Sequence, residues 1–99
     1  MINHVVLFKL KEYSENEKPA IIAEMKSLLE ALEDKIEEVK YIEVGVNYEL
    51  NAKSYDIALI SHFESIEDLD KYRIHPEHQK VVARVGEITC ERAAVDFEF

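Results

Sequence analysis

The chain is predicted to adopt an α+β fold of order βαββαβ, with one four-stranded antiparallel sheet. Three observations predict it. Four stretches alternate their side chains with a period of two, and between them apolar residues recur at three- and four-residue steps. Two of the four strands, the first and the third, are apolar on both faces, as central strands must be, which leaves the second and fourth at the edges.

The first strand, about Ile2 to Lys11, places Ile2, His4, Val6, Phe8 and Leu10 on one face and Asn3, Val5, Leu7 and Lys9 on the other. A helix follows, with Ile21, Ile22, Met25, Leu28, Leu29, Leu32 and Ile36 forming an apolar stripe opposite Glu24, Lys26, Ser27, Glu30 and Glu33. Its start lies between Ser14, which makes a capping-box pattern with Glu17, and Pro19, which suits a first turn. The second strand, about Val39 to Tyr48, alternates Ile42, Val44, Val46 and Tyr48 against Glu43, Gly45 and Asn47. A polar turn at Asn51, Ala52, Lys53 and Ser54 leads to the third strand, Tyr55 to Phe63, with Ile57, Leu59 and Phe63 on one face and Ala58 and Ile60 on the other. Ser65 opens a short helix that Pro76 breaks at His75; the chain restarts with an inward stripe of His78, Val81, Val82 and Val85, and Gly86 is expected to stop it. The last strand runs from about Ile88 to Glu98.

Two helices cover one face of such a sheet. The other face is expected to carry Val5, Leu7, Ala58, Ile60 and His62, with Val44 and Val46 beside them. Each large apolar side chain there would forgo roughly 1.5 to 3 kcal/mol if left in water. No loop is long enough to cap it, so a homodimer packed sheet against sheet is expected.

Composition narrows the function. With 12 Lys and Arg against 21 Asp and Glu, the formal net charge is −9, and no basic stripe offsets it; nucleic acid and anionic membrane surfaces are expected non-partners. No apolar run reaches the roughly 20 residues of a membrane span, the first residues enter a strand pattern instead of a targeting segment, and the single Cys90 suits a reducing compartment. A cytoplasmic, single-domain protein over residues 1–99 is the expectation. No Gly-rich phosphate loop, CxxC pair or nucleophile elbow occurs, so no cofactor is expected; His75 and His78, three apart, lack further ligands near them in sequence, so no metal is expected either.

The stretch Phe63 to His78, with its Phe-Glu-Ser start and His-Pro-Glu-His end, resembles the hallmark of the stress-responsive A/B barrel (Dabb) family. The opening His4 to Leu10 and the ending Val95-Asp96-Phe97 are similar to the same family, so the likeness covers essentially the whole chain. It implies a ferredoxin-like protomer and a dimeric α+β barrel. Most members have no assigned reaction, and others are stress proteins or plant polyketide cyclases. The resemblance to the cyclase branch implies His78 and Tyr72 as a catalytic pair, whereas that branch's third-strand histidine is matched here by Ile57.

The residues make chemical sense of such a pair. A neutral imidazole can remove an acidic C–H proton near neutral pH, and a phenol can hydrogen-bond a carbonyl oxygen as negative charge develops on it. The same two side chains can equally satisfy backbone groups around the Pro76 break. His4, Val6, Phe8, Ile57, Leu59, Val82 and Val85 are the candidate walls of an apolar pocket beside them. His4 is expected to bond backbone in the core or to approach His78 across that pocket, and His75 to cap the restarted helix or to be exposed. Three functions follow: a dimeric A/B barrel protein of stress-response type whose role is ligand binding or structural, with no chemistry of its own; a lyase of the intramolecular aldol type on a polyketide-like substrate, using His78 and Tyr72; and, by analogy of architecture alone, a cofactor-free monooxygenase or isomerase.

Overall fold

In the computed structural model, which describes residues 1–49 and 54–99, the elements run β1 (Ile2–Leu10), α1 (Lys18–Glu30), α2 (Leu32–Lys35), β2 (Tyr41–Val46), β3 (Ile57–Phe63), α3 (Ile66–Ile74), α4 (Pro76–Ile88) and β4 (Thr89–Glu98). The strands form one antiparallel sheet of order β2-β3-β1-β4, with the two doubly apolar strands in its centre. Alternation explains the layering. Ile2, Val6, Phe8 and Leu10 of β1 and Ile57, Leu59 and Phe63 of β3 are buried against the apolar stripes of the helices, including Met25, Leu29, Leu69, Tyr72, Val81 and Val85.

The helix boundaries differ from expectation where local signals compete. Ser14 and Glu17 do form a reciprocal capping pair, with the Glu17 N–H donating to Ser14 Oγ at 3.2 Å and the hydroxyl donating back to Glu17 Oε1 at 2.9 Å. The pair closes the turn that precedes α1, and Pro19 occupies the first turn of the helix itself. The expected single helix to Ile36 is two pieces, α1 and α2, divided at Ala31. Gly86 does not end α4, which continues to Ile88; a glycine with ordinary right-handed φ stops nothing on its own. At the α3–α4 junction Ser65 Oγ accepts the Asp68 N–H at 3.2 Å, and His75 Nδ1 accepts the Glu77 N–H at 3.1 Å, capping α4 as expected. The polar turn expected at 51–54 lies, apart from Ser54, outside the described residues.

The β1–β4 pairing slips between Lys9 and Leu10. The Leu10 N–H donates to Asp56 Oδ2 at 2.8 Å, and Asp56, buried just before β3, also lies 3.7 Å from Lys18 Nζ. This buried carboxylate holds the irregular end of β1 and was not among the residues singled out from sequence.

Register corrects one assignment of face. Val44 pairs with Leu59 and Val46 with Ile57, so both point toward the helices; Val44 is buried in the core. Directly paired residues share a face, so β2 presents Tyr41, Glu43 and Gly45, opposite His62, Ile60 and Ala58, on the side without helices. That open face also carries Val5, Leu7, Val95 and Phe97, the last two more than two-fifths exposed. His62 lies there too, stacked on Tyr41 with ring centroids 4.7 Å apart and packed on Phe99 at 4.6 Å.

Candidate functional site

A cavity of about 400 Å³ opens between α4 and the helix-facing side of the sheet. His4, Val6 and Phe8 of β1, Leu59 of β3 and Val82 and Val85 of α4 line it. Ile57 does not: it faces the same side of the sheet, paired between Phe8 and Val46, and is buried in the core. Sequence reasoning missed Arg73, Gln79 and Arg92, which add polar groups to the wall.

Tyr72 and His78 meet because Pro76 breaks the helix between them and turns α4 back over the end of α3. Their ring centroids are 4.2 Å apart. His78 Nδ1 lies 3.1 Å from the carbonyl oxygen of Arg73, in the last turn of α3. A carbonyl only accepts, so Nδ1 carries the proton and Nε2 is left with its lone pair. Burial pushes the His78 pKa below the usual histidine value, opposed by that backbone bond and assisted by the nearby His4, Arg92 and His75, so the neutral base is favoured.

Tyr72 is almost wholly buried, and its hydroxyl has no hydrogen-bond partner among the described residues. Burial raises its pKa to about 12, which keeps it a phenol and a donor at neutral pH. His78 thus satisfies a loose backbone group at the break, and Tyr72 does not.

His4 bonds neither backbone nor His78 through its Nδ1. That atom donates to the carboxylate of Asp96, and the other Asp96 oxygen accepts from Arg73 Nη2 at 2.9 Å. Arg73 also bonds Asp70 at 2.9 Å. The His4 ring lies edge-on to Tyr72 at 6.3 Å. Asp96 had a legible signal: it sits in the Val95-Asp96-Phe97 ending, on an edge strand whose pairing with β1 brings it opposite His4. Among the described residues no cluster of three or more His, Cys, Asp or Glu side chains has the spacing of a metal site.

The family model described as the stress responsive A/B barrel domain matches residues 2–99. The chain belongs to the Dabb family. An uncharacterised protein of Streptomyces coelicolor is 33% identical over 99 residues, covering all of both chains. Among solved structures, a dimeric ferredoxin-like protein of unknown function from Bacteroides fragilis is 37% identical, covers 99% of this chain and 95% of its own, and superposes with a TM-score of 0.89. A dimeric ferredoxin-like protein of unknown function from Thermobifida fusca is 25% identical over 99% of this chain and 90% of its own, with a TM-score of 0.77. The Dabb chain described here thus has the ferredoxin-like α+β fold of relatives that are dimers, and no helix among its described residues is long and apolar enough to cross a membrane.

Proposed function

We propose that this Dabb protein is a homodimer that binds a small, largely apolar carbonyl compound in the cavity between α4 and the sheet. The observation that carries the reading is Tyr72, a residue of the cavity wall whose buried hydroxyl is a donor without a partner among the described residues. An unmade hydrogen bond in such a place costs about 1–3 kcal/mol, which a carbonyl oxygen brought by a ligand would offset. The open face of Val5, Leu7, Ala58, Ile60, Val95 and Phe97 supports the homodimer, as do the dimeric relatives. The net charge of −9 argues against nucleic acid as a partner, and a single unpaired Cys90 suits the cytoplasm.

A second reading, a lyase or cyclase with His78 as base and Tyr72 as the donor to developing oxyanion charge, is favoured by one specific feature. The Arg73 carbonyl holds the His78 proton on Nδ1 and leaves Nε2 free to accept one. Nothing comparable favours a monooxygenase or isomerase.

Methyl resonances of the valines test the binding reading. Titration with methyl hexyl ketone should shift Val6, Val81, Val82 and Val85 saturably and leave Val5 and Val95, on the opposite face, in place. Shifts that never saturate, or that appear equally on both faces, would remove it. Turnover of a β-keto substrate that disappears in His78→Gln would promote the second reading over the first.

A further inference from the structure

We infer that the ligand of this cavity is an anion, an aliphatic or aromatic carboxylate whose charged group is held by Arg92. The inference rests on the cavity reading above and names the class of compound it takes. Arg92 lies opposite Phe8 on the helix-facing side of β4 and lines the cavity. Among the described residues it has no ion pair and no hydrogen bond, although the chain carries 21 carboxylates for 12 Lys and Arg. The other guanidinium on the wall, Arg73, is engaged by both Asp70 and Asp96 and has little charge left to offer. In a chain so acidic, a cation left unpaired at the edge of an apolar cavity is the group free to receive an anion.

The helix-facing row of β4 gives the site its polarity. Arg92, Ala94 and Asp96 alternate along it, pairing with Phe8, Val6 and His4. Four residue steps of strand separate Arg92 from Asp96, about 13 Å of backbone. Asp96 is engaged by His4 and Arg73, so the cavity presents a positive charge without a partner among the described residues beside Phe8, together with the neutral His78 and the donor Tyr72. Val6, Leu59, Val82 and Val85 make the apolar part of the same wall. A compound carrying a carboxylate, an apolar body and a further hydrogen-bond acceptor is the matching chemistry. A planar, always charged guanidinium suits a carboxylate, which it can hold with two parallel hydrogen bonds.

Octanoate and its methyl ester differ in charge and hardly in shape, and isothermal titration with each separates the charge from the cavity. Wild-type protein is expected to bind octanoate at least about tenfold tighter than the ester, with the advantage shrinking as salt rises. Arg92→Met, which keeps an apolar stem, should abolish the preference by weakening octanoate binding far more than ester binding. Arg84→Met, removing a guanidinium of α4 that pairs with Glu24 of α1 and does not line the cavity, should keep it. Equal affinities in the wild type, or a preference that survives in Arg92→Met, would overturn the assignment and leave the cavity reading standing. Failure of both compounds to bind, together with unmoved valine methyls in the ketone titration, would overturn both. Inorganic phosphate that displaces octanoate would show an anion site without carboxylate selectivity and would likewise count against the assignment.

Discussion

His4 and Asp96, 92 positions apart in sequence, face each other across the antiparallel β1–β4 pair, and the imidazole Nδ1–H donates to the carboxylate. The bond ties the first strand to the last and turns the His4 tautomer into a structural consequence of register. Because the second Asp96 oxygen accepts from Arg73, the same carboxylate also ties the edge strand to α3, whose last turn supplies the carbonyl that orients His78. The wall of the cavity is therefore held by a chain of charge-assisted bonds instead of by packing alone.

Removing that carboxylate should be felt as stability. Asp96→Ala leaves a buried imidazole donor and a guanidinium without their acceptor, and a loss of about 1–3 kcal/mol is expected from urea unfolding. Asp96→Asn, which keeps an acceptor oxygen, should lose less.

Tyr72→Phe should behave in the opposite way. The hydroxyl makes no hydrogen bond among the described residues, so its deletion is expected to leave the melting temperature unchanged or to raise stability by up to about 1 kcal/mol. The same variant should bind methyl hexyl ketone more weakly. A stability loss of several kcal/mol on thermal unfolding would mean that the phenol is a structural bond after all.

The pH dependence follows from the depressed pKa of His78. Its folded value lies below the ordinary 6.5, so the unfolded chain takes up the proton first as pH falls. Stability contributed by the neutral imidazole is complete above pH 6.5 and is lost on descending from there through the folded pKa. In matched melts of wild type and His78→Gln, the wild-type Tm should fall more steeply below pH 6.5, with the two curves running parallel above it.

The two faces of the sheet should respond differently to a charge. Val5→Asp lies on the open face and is expected to yield a folded monomer in sedimentation, because a carboxylate enters the apolar seam of the proposed dimer. Val44→Asp places the charge in the helix-facing core and should cost more than about 3 kcal/mol, abolishing cooperative folding instead of merely splitting the dimer.

Gly86 offers a stabilising change. It sits inside α4 with ordinary φ, and a Cβ there meets nothing within 4 Å. Gly86→Ala is expected to add about 0.5–1 kcal/mol in urea unfolding by reducing the freedom of the unfolded chain and raising helix propensity.

Much of this protein is legible residue by residue. The alternation of Ile2 to Leu10 and Ile57 to Phe63 marks the central strands, Ser65 and His75 mark the helix starts, and the Pro76 break brings Tyr72 and His78 together. All of these are local signals, carried by side-chain period, capping chemistry and backbone sterics within a few positions. The facing of Val44 and Val46, the exclusion of Ile57 from the cavity, the bonding of Asp96 to His4 and the lack of a partner for Arg92 among the described residues needed the tertiary structure. Periodicity says which residues share a side of a strand; only the register with the neighbouring strand says which side meets the helices and which distant groups meet one another.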